Sequence, residues 1–283
     1  MFFETLKATA DLRLVARYVP GNPHYRTDAP TLATSLAVFG VCAEFQAFVA
    51  SRGASVACLV QGYTAPVNAQ ALRAALLAPT VLRSRIVAVD QIPLPEIYSQ
   101  LGVEMPEIDF VQANACDLGD RLGGDTFDLV VQDFILNCLC PANAAALLAE
   151  ARRHLKPDGL CLISFSADAE APTHATVFAS ALAPSLPRAW TPQSAGLFDL
   201  AQTESDYFAL ETLLQGKSIL DADSGTITQV TAPSGQFEFF VSKQKIIDLI
   251  EAAGFAVSVV DATEAVDYSG LRCTRYRVIA TPV

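Results

Sequence analysis

Residues 127–136 read FDLVVQDFIL and residues 155–160 read LKPDGL, with an alanine- and leucine-rich stretch between them. Phe127–Val131 is a short, largely apolar run with no apolar–polar alternation, the pattern of a strand covered on both faces. Ala142–Leu155 is rich in Ala, Leu and Arg, all strong helix formers, and Pro157-Asp158-Gly159 is a stop signal. Leu160–Phe165 (LCLISF) is a second apolar run. Strand, helix, turn and strand in that order are a βαβ unit, and so a parallel sheet.

The same rhythm extends in both directions. Upstream, Ala54–Val60 (ASVACLV) is a continuous apolar run closed by Gly62, and Ala69–Leu77 follows with a helical pattern. Arg85–Val89 (RIVAV) ends at Asp90, Pro95–Leu101 reads as a helix, and Ile108–Val111 as another short strand. Downstream, Lys243–Ala253 reads as a helix and Phe255–Val260 and Tyr276–Thr281 as closing strands. The expectation is an α/β fold, a mostly parallel seven-stranded sheet with helices on both faces. Residues 54–283 form its main domain. Residues 1–53 form a helical N-terminal cap in two pieces, 3–18 and Thr31–Ser51, the latter carrying Leu36, Phe39, Phe45 and Phe48 at helical spacing. VPGNPHYRTDAP (19–30) separates the two pieces. Residues 184–240 break the rhythm and read as an insertion, a lid or an interface, with a helix at Glu204–Leu214 and a hairpin around Ala232–Gly235.

Composition narrows the function. The 283 residues are 52% hydrophobic and 17% charged, enough for one elaborated domain or two small ones. Mean hydropathy is +0.34, yet no apolar run approaches the roughly 18 residues of a membrane span. The excess apolar surface points instead to a well-filled core, a closed ligand pocket or a buried homo-oligomer face. The opening MFFETLKATADLR carries Glu4 and lacks a basic stretch before an apolar core, so no signal peptide and no membrane association are expected. The net charge of −11 argues against a nucleic-acid partner, which would call for a basic stripe; the densest basic cluster is Leu271–Arg277 (LRCTRYR). The seven cysteines, an odd number and several in apolar runs, read as reduced thiols in a cytoplasmic protein. Cys138 and Cys140 form CxC with no matching pair, so no metal is expected.

Four segments resemble class I S-adenosylmethionine (SAM)-dependent methyltransferases, with the C-terminal Ala253-Gly254-Phe255 as a further echo. In that family the first strand ends in an acid followed by a GxGxG turn, whose glycines let the backbone approach the ligand. Here Gly62 remains, Thr64 and Pro66 replace the other glycines, and Val60 occupies the acidic position. Asp90, followed by Gln91, stands where a carboxylate accepts both ribose hydroxyls; the alternative is a helix N-cap. In VQANACDL (111–118), the resemblance places Asn114 with the backbone of Ala115 and Cys116 beside the adenine, while Asp117 is a ligand residue or a loop cap. The fourth segment, 127–136 with LKPDGL, puts Gln132, Asp133 and Phe134 at the carboxyl edge of the sheet, where open α/β folds bind ligands; Phe134 is alternatively a core residue.

The resemblance implies a SAM-binding enzyme acting on a small molecule, by default by methyl transfer. It implies a cofactor site of Gly62, Tyr63, Asp90, Gln91, Asn114, Ala115, Cys116 and Asp133. Catalytic candidates are Tyr25, Phe134, Asn137 and His24. Aromatic groups such as Tyr25, Tyr63 and Phe134 suit a sulfonium, and His24 suits a general base. His154, beside LKPDG at a helix C-terminus, reads as structural. Two other readings remain. Without an acid at Val60 the amine of SAM would be more nucleophilic, and ring closure to azetidine-2-carboxylate and methylthioadenosine, the reaction of methyltransferase-like bacterial SAM cyclases, becomes an alternative. The degenerate turn after Gly62 also fits an inactive SAM-fold binding module.

Overall fold

A seven-stranded sheet organises the chain. In the computed structural model the described residues are 31–53, 55–62, 66–76, 83–90, 95, 108–136, 139, 141–167, 218–220, 227–229, 242–266 and 272–283. The strands are β1 (Ser55–Gln61), β2 (Arg83–Asp90), β3 (Asp109–Gln112), β4 (Phe127–Asp133), β5 (Leu155–Ala167), the short pair β6 (Ser218–Leu220) and β7 (Ile227–Gln229), then β8 (Phe255–Val266) and β9 (Arg272–Pro282). The large sheet runs β3-β2-β1-β4-β5-β9-β8. Strands β1 to β5 are mutually parallel, while β9 is antiparallel to both β5 and β8. This is the α/β sheet read from the sequence, with helices packed on both faces.

The helices are α1 (Thr31–Gly40), α2 (Ala43–Ser51), α3 (Pro66–Leu76), α4 (Pro141–His154) and α5 (Lys243–Ala252). Alternation along β1, β2 and β4 sorts the core into two layers. Val56, Cys58, Val60, Ile86, Ala88, Leu129 and Val131 meet Leu32, Leu36 and Phe39 of α1, Phe45 and Phe48 of α2, and Leu72 and Leu76 of α3. Leu59, Val87, Val89, Phe127 and Val130 meet Ala144, Leu147 and Leu148 of α4 and Ile246 and Ile250 of α5. Among the described residues no single helix is long and apolar enough to cross a membrane, and the apolar α1–α2 pair, bent by 88°, is packed on the sheet.

The structure departs from the sequence reading in three places. Residues 31–51 form two helices, because Gly40 is a weak helix former and Cys42 is extended at φ −77°, ψ 126°. Strand β5 begins directly at Leu155: Leu155 pairs with Phe127 and Leu160 with Leu129, and the register shift between them absorbs Lys156–Gly159. Gly159 suits that shift, since a Cβ there would lie 2.8 Å from the Asp128 carbonyl oxygen. Strand β8 starts at the expected Phe255 but runs on past Val260 to Val266, and β9 is longer than expected at both ends, Arg272–Pro282. Within 184–240 the described structure is the antiparallel β6–β7 pair; the helix expected at 204–214 and the hairpin at 232–235, like the helix at 3–18, lie outside the described residues.

Candidate active site

The carboxyl ends of β1, β2 and β4 are level: Gln61 pairs with Val89, and Val60 with Val131. Gly62 follows at φ +78°, a left-handed conformation that costs little only for glycine, and its N–H donates to the Val89 carbonyl at 3.0 Å. A Cβ on Gly62 would collide with Ile135 Cδ1, so the turn after β1 lies against the chain leaving β4. In that exit Phe134 has φ +56°, a strained backbone for a bulky residue worth about 1–3 kcal/mol. The Phe134 N–H donates to the Ser164 carbonyl at 2.8 Å, and the Arg275 guanidinium lies 5.5 Å from the centre of its ring. Such strain persists where the surroundings enforce it, and it collects at functional edges.

Asp90 ends β2, half-buried, and its carbonyl accepts the Ala113 N–H at 3.0 Å, which ties the turn after β3 to the site. In that turn Asn114 Oδ1 accepts the Cys116 N–H at 3.0 Å and the Asn114 carbonyl accepts the Asp117 N–H at 3.0 Å. Asp117 is exposed. The Ala115 carbonyl accepts from Gln61 Nε2 at 3.3 Å, and Gln61 Oε1 accepts from Gln132 Nε2 at 2.8 Å. Gln61 and Gln132 are completely buried, so this pair braces β1, β4 and the β3 turn from beneath.

On the opposite face, Asp133 at the end of β4 accepts the Ser35 hydroxyl of α1 at 2.9 Å. Arg277 of β9 donates from Nε to Ser35 Oγ at 3.4 Å and pairs through Nη1 with Asp261 of β8 at 2.6 Å. Sheet register sets this row out, Asp133 pairing with Ser164, Ser164 with Arg277, and Arg277 with Asp261.

The structure thus brings Gly62, Asp90, Asn114, Ala115, Cys116, Asp133 and Phe134 to the ends of four adjacent strands. Tyr63, Gln91, Asn137, His24 and Tyr25 lie outside the described residues. Val60 is buried in the layer under α1 to α3. His154 is also buried, with Nδ1 2.9 Å from the Asp125 carbonyl at the far end of the sheet, a structural position. Among the described residues Cys42, Cys58, Cys116, Cys161 and Cys273 are free thiols, and burial pushes those of Cys58 and Cys161 well up. No group of three or more His, Cys, Asp or Glu among the described residues is arranged to hold a metal ion. The sequence reading does not single out Ser35, Gln61 or Arg277; Gln61 offers a signal, a polar residue closing the apolar run of β1, whereas Ser35 follows Thr34 and Arg277 lies in the basic cluster LRCTRYR.

Residues 69–163, from α3 into β5, match the family described as methyltransferase domain. The match is confined to this segment of the chain. It contains Asp90, Asn114, Asp133 and Phe134, and its sheet has the class I SAM-dependent methyltransferase architecture that the four sequence segments resemble. Among solved structures, the mitomycin 7-O-methyltransferase MmcR is similar at 13% identity with a TM-score of 0.50, over 99% of this chain and 60% of that one. A Burkholderia thailandensis 1,6-didemethyltoxoflavin-N1-methyltransferase with bound S-adenosylhomocysteine matches at 15% identity and TM-score 0.47, over 99% and 85% of the two chains. An arsenic(III) SAM methyltransferase from Chlamydomonas reinhardtii matches at 17% and 0.46, over 90% and 74%. No curated protein sequence matches the chain.

Proposed function

We propose that the protein is an enzyme that transfers the methyl group of SAM to a small-molecule acceptor. The observation that carries the reading is the coincidence of the methyltransferase-domain match with one edge where Gly62, Asp90, the Asn114 turn and Asp133 end adjacent strands. SAM fits this edge: Gly62, without a Cβ and with positive φ, lets the backbone pass close to a ligand, as a dinucleotide-binding turn does. Bound there, SAM supplies an electrophilic methyl group. The Asp90 carboxylate accepts the ribose hydroxyls, two acceptor oxygens suiting two donors. With its oxygen engaged by the Cys116 N–H, Asn114 turns its amide NH2 to the adenine edge. Phe134 supplies an aromatic wall near the sulfonium. The protein's main contribution is to hold the acceptor in line with the S–CH3 bond. The net charge of −11 suits a small acceptor better than a nucleic acid.

One observation favours a second reading. Val60, at the position that is acidic in the family, is apolar and buried in the core. If the SAM amine were left neutral, its nitrogen would attack its own γ-carbon. The C–S bond would break, methylthioadenosine would leave with that electron pair, and the ring nitrogen would release a proton to solvent.

Incubation with SAM alone, then with SAM and panels of small hydroxyl, amine and thiol acceptors, followed by mass spectrometry, separates the readings. S-Adenosylhomocysteine formed in step with a methylated acceptor supports methyl transfer. Methylthioadenosine formed with a C4 imino acid, without acceptor, replaces it by cyclisation. A chain that gives no SAM-dependent rise in melting temperature is neither; saturating SAM should add roughly 2–4 kcal/mol.

A further inference from the structure

Ser35 and Arg277 are polar, almost completely buried, and sit where α1 covers the sheet with Leu32, Leu36 and Phe39. Burying a hydroxyl and a guanidinium in such a layer is costly unless both are bonded. Here both are, and the bonds run in one direction: Arg277 donates to Ser35, and Ser35 donates to Asp133. A guanidinium has no acceptor and a serine hydroxyl has one proton, so that proton is committed to Asp133 and the carboxylate is the accepting end of the row. Arg277 gives its direct ion pair to Asp261 at 2.6 Å and reaches Asp133 only through a neutral hydroxyl. The row therefore orients the Asp133 carboxylate without an ion pair from Arg277.

Asp133 is half-buried at the carboxyl edge, beside strained Phe134 and next but one to Ile135, which seats the Gly62 turn. We infer that Ser35 and Arg277 are positioning residues that hold the Asp133 carboxylate as acceptor for the ammonium group at the methionine end of SAM. This rests on the SAM reading above. Of the two cationic groups of SAM only the ammonium donates hydrogen bonds, which is what an oriented carboxylate accepts. Strands β2 and β4 flank β1, so Asp90 and Asp133 stand about two strand spacings, or about 10 Å, apart. That separation is comparable with the reach from a ribose to the amino-acid end of one ligand.

The test compares two ligands by calorimetry on the full chain: S-adenosylhomocysteine, which has the ammonium, and methylthioadenosine, which lacks it. Asp133→Asn should weaken S-adenosylhomocysteine about tenfold or more and leave methylthioadenosine unchanged. Ser35→Ala should do the same on a smaller scale, about threefold, and Ser35→Thr, which keeps the hydroxyl, should restore it. Circular dichroism and thermal melting establish that each variant is folded, and Ser35→Ala deletes a single oxygen. Equal losses for both ligands, or no loss for either, overturn the inference while leaving SAM binding intact. A wild-type chain that binds neither ligand overturns the SAM reading and this assignment with it.

Discussion

Asp128 and Asp133 occupy opposite ends of the same strand, β4, and are held in opposite ways. Asp128 is tied locally: Lys156 Nζ donates at 2.8 Å, the Ala57 N–H at 2.9 Å, and the Arg52 guanidinium lies 3.5 Å away while also pairing with Asp158. Burial alone would raise the Asp128 pKa, but the hydrogen bonds from Lys156 and Ala57, with the charges of Lys156 and Arg52, outweigh it and hold the carboxyl below its ordinary range. Asp133 is held by a serine hydroxyl and, through it, by an arginine from a distant strand, next to a residue in strained backbone. The amino end of the sheet closes the fold with direct ion pairs. The carboxyl end accepts strain at Phe134, and its direct ion pair, Arg277 with Asp261, stands beside the Ser35–Asp133 hydrogen bond.

The comparison can be broken in several places. The largest effect expected is on stability: Asp128→Ala leaves Lys156 and the Ala57 N–H without their partner and should cost about 3 kcal/mol in urea denaturation. The folded fraction should keep its SAM affinity. An equal stability loss from Asp133→Ala would erase the distinction between the two ends. The pH dependence sharpens it. Because the folded Asp128 carboxyl titrates below its unfolded value, its contribution is complete above about pH 4 and is lost as pH falls through the lower folded value. The stability curves of wild type and Asp128→Asn should therefore converge only in strong acid.

Next in size, Asp90→Ala should weaken SAM about 30-fold, or about 2 kcal/mol, with little change in melting temperature. Unchanged affinity would remove Asp90 from the site. Gly159→Ala forces a Cβ against the Asp128 carbonyl and should cost about 1–2 kcal/mol with unaltered ligand binding. Smallest in stability is Phe134→Asn. Asparagine tolerates positive φ, so relief of strain offsets loss of the Arg275 contact to within about 0.5 kcal/mol. Turnover with SAM should fall nonetheless; a variant of full activity would make Phe134 a packing residue.

The fold was legible because its strands are short apolar runs, ASVACLV, RIVAV, FDLVV and LCLISF, each followed by a turn or a helix. The placement of Gly62, Asp90 and Asn114 at strand ends was legible because a turn glycine and polar residues that close apolar runs are local signals. The bend at Gly40–Cys42 was not, since helical spacing continues on both sides of it. The register shift that takes up Lys156–Gly159 arises from pairing with β4 and leaves no local trace. Arg277 lies in the basic cluster LRCTRYR, Ser35 beside Thr34 and Gln61 at the end of an apolar run, and their partners are remote in sequence; Ser35 and Arg277 are 242 positions apart.

The place of β9 in the sheet bears on how the molecule is made. It follows β8 in the chain yet lies inside it, between β8 and β5. On a ribosome, β5 emerges early and must keep a bare hydrogen-bonding edge until residues 272–282 arrive, and β8 cannot join the sheet before then. The arginine that reaches Ser35 arrives on that same strand. Nascent chains halted before residue 272 should thus be open to strand-mediated aggregation and chaperone capture, and completion of the polar row becomes a marker that synthesis has passed this point.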